Sequence, residues 1–287
     1  RPEKQFLVDE VNAHLDKSDY VFVADYQRAT VPDIADLRSK LAAEEAEFHV
    51  IKNNILKVAA RDRGFPELDD HLTGQNAIVT GASAGIGEAV AIDLAANGAA
   101  VVVNARREDK LASLVDFIVS SGGRAAAVAG DAADQASIDA MLDAASTLAG
   151  PADLIVANAG RGLGGSSITS DESQWEEMIR INLVGLARLI RAAGPRMTGQ
   201  DGQRDIVVLG STVGRHVSPF SSMYGATKFG ANSLAEASRR ELGPQGVRVT
   251  LIEPGIVVSE FQSVAGYTDD LVQSFHDKFG PLIEPAD

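Results

Sequence analysis

Three side chains in this sequence have the types and spacing for joint acid/base work: Ser211, Tyr224 and Lys228. Tyr224 and Lys228 stand four apart on a stretch that reads as a helix, so both leave the same face. A free phenol titrates near 10, too high for proton transfer around neutrality. A neighbouring ammonium stabilises the phenolate and lowers that value, toward the range where a general acid or base is effective. Ser211 comes just past an apolar run at 205–209. From there its hydroxyl can donate a hydrogen bond to a carbonyl oxygen and polarise it. A tyrosine and lysine at this spacing also occur on many exposed helices, so the pair gains its meaning from what accompanies it.

What accompanies it is Asn76–Gly87, NAIVTGASAGIG. A short apolar run stops at Thr80-Gly81, glycines follow at Gly85 and Gly87, and a helical pattern begins. Glycines reach positive φ and let main chain approach an anion. The N–H groups and dipole of the helix start then hold it. The spacing is TGxxxGxG, not GxGxxG, and close strand–helix packing is the plainer use of such glycines. The next apolar run ends at Val103-Asn104-Ala105, followed by Arg106-Arg107. An acid here suits the ribose 2′-hydroxyl of NAD, whereas an arginine suits a 2′-phosphate. No acid occupies 104–107, so NADP is expected rather than NAD. The plainer reading leaves both arginines as surface residues of a helix start. Asp131, after the third run, either accepts from an adenine amino group or opens a turn.

These residues need a frame. Apolar runs at 77–80, 99–103, 125–129, 153–157, 205–209 and 247–252 alternate with helical patterns near 86–97, 108–120, 135–148, 173–197 and 223–242, with one more at 268–279. Strands apolar throughout are buried on both faces. The expected fold is α/β: a doubly wound parallel sheet of Rossmann type. Ahead of it, helices are expected at 4–17, from about Val31, and around Ile55–Ala59, with strands at 20–24 and 48–51. This makes a small α/β segment over 1–72, then the sheet domain over 73–287. No repeat of 20–50 residues is present.

TGASAGIG, ANAG at Ala157–Gly160, Ser211, YGATK at Tyr224–Lys228 and Pro254-Gly255 resemble, in order and spacing, the short-chain dehydrogenase/reductase family. The resemblance covers about 76–287. It implies hydride transfer between NADP(H) and a small-molecule carbonyl or alcohol. It implies that Tyr224 is the general acid/base, that Ser211 orients the substrate, and that Lys228 binds the nicotinamide ribose and tunes Tyr224. Asn182, in IRINLVG, matches the family asparagine that holds a water in a proton relay. The cofactor contacts implied are Gly81, Ser83, Gly85, Ile86 and Gly87 in the turn, then Arg106, Arg107, Asp131 and Ala132. Asn158, Ala159, Gly160, Tyr224, Lys228, Pro254 and Gly255 complete them. A homo-oligomer, dimer or tetramer, is implied as well. Two departures stand out. Ala157-Asn158 replaces a frequent pair of asparagines. The family's further C-terminal strand has no counterpart, which bears on the sheet edge, the tetramer contact and the pocket wall.

RPEKQFLVDEVNAHL, SDYVFVADYQRATVPDIADLRSKL and EFHVIKNNILKVAA resemble the N-terminal domain of the bacterial ribosomal stalk-base protein, the tenth of the large subunit. That implies binding to ribosomal RNA, although about half of that domain is present. LTGQNAIV, from Leu72, fits both resemblances and forms a seam. A recombined gene, an engineered chimera or a cloning artefact would each leave one.

Composition trims the alternatives. The chain of 287 residues has no cysteine and a net charge of −14. Disulfides, thiolate catalysis and cysteine metal sites are excluded. Both the first 72 residues and the remainder carry more acids than bases, which disfavours nucleic acid, because phosphate contacts need clustered Lys and Arg. No run of about 18 apolar residues predicts a membrane span, no signal pattern opens the chain, and a cytoplasmic location is expected. His14, His49, His71, His216 and His276 show no metal-ligand spacing, so no metal is expected. The competing readings are an RNA-binding module through 1–72 and a folded but inactive fusion. Residues 161–172 and 256–275 are expected to wall the substrate pocket. There Arg161, Gly162, Leu163, Phe220, Met223 and Phe261 imply a mixed, partly apolar cleft.

Overall fold

The computed structural model describes residues 2–17, 30–44, 46–51, 53–63, 74–200 and 202–287. The chain divides into two compact units, Arg1–Gly74 and Gln75–Asp287.

The first unit contains α1 (Pro2–Leu15), α2 (Val31–Ala43) and α3 (Asn53–Asp62). Val8 and Val11 of α1 meet Ile55, Leu56 and Ala59 of α3, apolar positions three and four apart on each helix. Arg63 fastens the pair by donating to Asn12 Oδ1 and O, both at 3.0 Å. Thr30 and Asp33 form a reciprocal capping box at the start of α2, with Pro32 in its first turn. Phe48–Ile51, expected as a strand, is irregular. A strand exists only through a ladder partner, and these residues pair with none among those described. The strand expected at 20–24 lies outside the described residues. Glu47 lies between two imidazoles, 3.5 Å from His14 Nδ1 and 2.8 Å from His49 Nε2. Sequence spacing hid this trio because α1 brings His14 to it.

The second unit is built on β1 (Asn76–Thr80), β2 (Ala100–Ala105), β3 (Arg124–Ala129), β4 (Leu154–Ala157), β5 (Arg204–Leu209) and β6 (Val247–Ile252). They form one sheet in the order β3-β2-β1-β4-β5-β6, every pair parallel. Between them run α4 (Gly85–Ala96), α5 (Glu108–Ser120), α6 (Gln135–Ala149), α7 (Trp175–Ile179), α8 (Leu186–Met197) and α9 (Ser222–Leu242). Alternate strand residues feed opposite faces. Ile78, Val102, Ile155 and Ile206 pack with α6, α8 and α9. Ala77, Val79, Val101 and Val156 pack with α4 and α5. This is the expected doubly wound sheet. Its strand order reverses between β1 and β4, where a crevice opens at the carboxyl ends of the strands. Val79 is level with both Val103 and Val156, so the ends around that crevice are flush.

Two local features depart from expectation. The single helix read at 173–197 is α7, a π-helical stretch over Arg180–Gly185, then α8. A short helix, α10 (Glu260–Val264), precedes α11 (Asp269–Phe279). Five residues are too few to show a period. Ser259 and Gln262 hold α10 through a capping box instead. Among the described residues no helix is long and apolar enough to cross a membrane.

Candidate active site

The glycine turn owes its shape to backbone demands. Gly81 and Gly85 have φ of +66° and +60°, which side chains rarely adopt. A Cβ on Gly87 would lie 2.4 Å from Gly81 O and 2.5 Å from Asn158 Nδ2. Asn158 Nδ2 donates to Thr80 O at 2.9 Å and Gly81 O at 3.2 Å. Thr80 Oγ1 accepts from Asn158 N at 3.1 Å and Ala159 N at 3.0 Å. The ends of β1 and β4 are thereby stitched across the crevice. Sequence reading missed Thr80 in this role; its signal was a polar residue closing an apolar strand. α4 begins after Ala84 with no side-chain cap, so its first N–H groups point outward without a side-chain partner.

Ser211 follows β5 and caps a 3₁₀ turn over Thr212–Gly214. Tyr224 and Lys228 lie one turn apart on the buried face of α9. All three are buried and line the same cleft. The Tyr224 ring packs on Phe261, centroids 5.7 Å apart, beside Leu163 and Met178. Burial pushes the phenol up to about 12, with Ser211 pulling the other way. This reverses the expected downward shift. Lys228 Nζ lies 5.8 Å from the phenol ring centroid and donates to Leu209 O at 2.7 Å. Its own burial lowers it to about 8. Desolvation is the leading cause of both shifts.

Asn182 sits in the π-helical stretch. Its Oδ1 accepts from Arg161 N at 2.8 Å, and its Nδ2 donates to Arg161 O at 2.9 Å and Thr227 Oγ1 at 3.0 Å. Thr227 donates in turn to Tyr224 O at 2.7 Å. Asn182 therefore ties the loop after β4 to the helix carrying Tyr224.

At the far end, Arg107 donates to Ser83 Oγ and O and pairs with Glu260. Arg106 is 68% exposed, its nearest acid Glu177 at 4.0 Å. Asp131 accepts from Ala133 N at 2.9 Å and from Arg180. Burial raises its pKa, but these two donors outweigh burial and hold it below the usual carboxylate range. Asp131 thus opens a turn, as one of its two readings had it, and it also lines the cleft.

The cleft measures about 980 Å³ and is lined by Gly81, Ser83, Gly85, Ile86, Arg106, Arg107, Asp131, Ala132, Asn158, Ala159, Gly160, Pro254 and Gly255, together with the catalytic candidates. Gly87 and Asn182 stand behind that lining, the first under Gly81, the second under Gly160. Of the expected pocket wall, Arg161, Phe220 and Phe261 line the cleft. Leu163 is instead core, with Met223 packed against its cluster, and Gly162 is covered by Phe261. Tyr267, Leu271 and Phe275 add apolar lining.

Lys228 yields a stability prediction. Its folded value, about 8, lies below the ordinary 10.5. The unfolded chain binds more protons between those values, so stability rises with pH across that window. Relative to Lys228→Met, the wild type is expected to gain up to roughly 3 kcal/mol from pH 7 to 10.5. Urea unfolding of both proteins across that range measures it. Tyr224, held up at about 12, stays protonated in the folded protein across this window. A pH-independent difference contradicts the prediction.

Residues 75–269 match the family model for short chain dehydrogenases, and residues 1–90 that for ribosomal protein L10. The two overlap over 75–90, which is β1, the turn and the start of α4. In the first unit Lys40 and Arg63 pair with Asp36 and Asp16. The chain is 32% identical over 216 residues to glycine betaine reductase ATRR of Emericella nidulans, covering 75% of this chain but only 17% of that protein. It is 34% identical over 187 residues to 3-oxoacyl-(acyl-carrier-protein) reductase FabG of Staphylococcus aureus, covering 65% of this chain and 76% of that one. A short chain dehydrogenase/reductase from Burkholderia phymatum in complex with NAD superposes with TM-score 0.67 and 27% identity, over 75% of this chain and 83% of that one. L-sorbose reductase from Gluconobacter frateurii, complexed with NADPH and L-sorbose, gives 0.66 and 26%, over 75% and 86%. With its sheet order, glycine turn and matched motifs, the chain belongs to the short-chain dehydrogenase/reductase family, oxidoreductases that use NAD(P) to interconvert CH–OH and C=O groups.

Proposed function

We propose that the chain is an NADP-dependent oxidoreductase of a carbonyl/alcohol pair, with Tyr224 as general acid/base. The observation that carries this is the gathering of Ser211, Tyr224 and Lys228 in one cleft whose floor is the Gly81–Gly87 turn. The turn and the first N–H groups of α4 suit a pyrophosphate. When bound, the nicotinamide supplies or takes up the hydride. In reduction, Tyr224 Oη gives its proton to the substrate oxygen; in oxidation, the phenolate takes the proton of the alcohol. The Ser211 hydroxyl donates to the same oxygen and polarises it. Lys228 serves the nicotinamide ribose and returns a proton toward Tyr224. Asn182 positions the loop after β4 and, through Thr227, helix α9. The aromatic and aliphatic lining by Phe220, Phe261, Tyr267 and Leu271 suits a substrate with an apolar body. A dimer or tetramer and a cytoplasmic location belong to the same reading.

Arg106, the more exposed of the two arginines, is the proposed partner of the 2′-phosphate. Calorimetric titration of the full chain with NADP and NAD side by side tests this. NADP is expected to bind more tightly. Arg106→Ala should weaken NADP about 10- to 100-fold, the worth of a charge-assisted hydrogen bond, and change NAD about threefold at most. An equal effect on both cofactors contradicts the assignment.

A further inference from the structure

The two arginines after β2 are employed differently. Arg106 is mostly solvated. The Arg107 guanidinium is already committed. Nε and Nη2 donate to Ser83 Oγ at 3.2 and 3.1 Å, and Nη2 donates also to Ser83 O at 3.1 Å. Nη1 lies 2.7 Å from Glu260 Oε2. One side chain therefore joins the glycine turn to the first residue of α10. That segment lies close over the turn: a Cβ on Gly85 would stand 3.1 Å from Ser259 Cβ. The residue after Glu260 is Phe261, which packs on the Tyr224 ring and would meet any side chain at Gly162 within 2.6 Å. The capping box of Ser259 and Gln262 makes the start of α10 one rigid piece. A displacement of Glu260 carries Phe261 with it.

We propose that Glu260 is a specificity-determining residue for the cofactor, acting through Arg107; this rests on the NADP reading above. A 2′-phosphate at the end of β2 brings a second anion to a guanidinium that Glu260 already holds, whereas NAD brings none. What the phosphate gains from Arg107 is offset by what the Glu260 pair loses. NADP therefore binds less tightly than the two arginines alone would allow, and its arrival loosens the segment that walls the substrate side beside Tyr224. The pair is about half exposed on both sides, 43% and 51%, so the effect is a modest factor rather than a switch.

The test is a double-mutant cycle on the full chain, titrating NADP and NAD into the wild type, Glu260→Gln, Arg107→Ala and the double variant. Glu260→Gln is expected to tighten NADP about three- to fivefold, as an exposed ion pair permits, and to move NAD about twofold at most. In the Arg107→Ala background the same substitution should leave NADP unchanged. Unchanged or weaker NADP binding by Glu260→Gln overturns the proposal. So does a gain that persists without Arg107, because it would come from direct repulsion between carboxylate and phosphate. The wild-type preference and Arg106→Ala report on the NADP reading, and the Glu260 cycle reports on the Arg107–Glu260 pair, so the two failures are distinguishable.

Discussion

Tyr224→Phe is expected to abolish nearly all turnover while leaving fold and cofactor affinity in place. The substitution removes one hydroxyl and keeps the ring that packs on Phe261, Leu163 and Met178. General acid/base groups contribute about 10² to 10⁴ in rate, and Ser211 cannot replace a lost proton donor. A fall in kcat of about 10³ is therefore the expected result, with the affinity for NADP within about twofold of the wild type. Because burial holds the phenol near 12, it is protonated at neutral pH and ready to act as an acid. Carbonyl reduction should be nearly flat with pH through neutrality. Alcohol oxidation needs the phenolate and should rise steadily as the pH is raised toward 10. Turnover at the nicotinamide absorbance band, measured in both directions, checks both statements. A Tyr224→Phe variant retaining a tenth or more of wild-type kcat would remove Tyr224 from the chemistry.

Gly87→Ala should disable the cofactor site from behind. The added methyl meets Gly81 O and C and Asn158 Nδ2 at 2.4, 2.9 and 2.5 Å, and two of those three atoms are backbone. Neither the turn nor Asn158 can retreat without breaking the hydrogen bonds that stitch β1 to β4. Overpacking of this kind costs about 1–3 kcal/mol, and the lost Asn158 bonds add about 1 kcal/mol each. The expected outcome is a loss of roughly 3 kcal/mol in unfolding free energy and of at least about 100-fold in affinity for both NADP and NAD. The loss falls on both cofactors because the pyrophosphate is common to them. Thermal unfolding separates a collapsed fold from a spoiled turn. Binding within about threefold of the wild type by a folded Gly87→Ala protein would show that the turn is not the phosphate site.

The sheet was legible because β1 and β2 carry the apolar runs Ala77–Val79 and Ala100–Val103 and are followed by Gly81 and Arg106, so that composition and punctuation agree. The Tyr224–Lys228 pair was legible because four residues make one helical turn. Their electrostatics were not. Spacing announces an attraction between phenol and ammonium, but depth of burial is a tertiary quantity, and here it dominates both groups. The π-helical stretch at Arg180–Gly185 was read as ordinary helix, since its register is tied to Asn182 contacts with Arg161 and Thr227, both distant in sequence. The role of Glu260 was hidden likewise, because α10 has no period to read and its partner Arg107 lies on another strand's end. The seam within Leu72–Val79 was visible in the text itself. β1 pairs with β2 and β4 of the Rossmann-type sheet, so residues 75–90 are structurally part of the oxidoreductase.

In the proposed mechanism a phenol, a hydroxyl and an ammonium stand beside a nicotinamide whose pyrophosphate is held by the glycine turn. A crystal structure of the full chain with NADP tests this most directly. The pyrophosphate is expected on the Gly81–Gly87 turn, the 2′-phosphate at Arg106, and the nicotinamide ring against Ser211, Tyr224 and Lys228. A cofactor seated with its nicotinamide away from Tyr224, or bound outside this cleft, would contradict it.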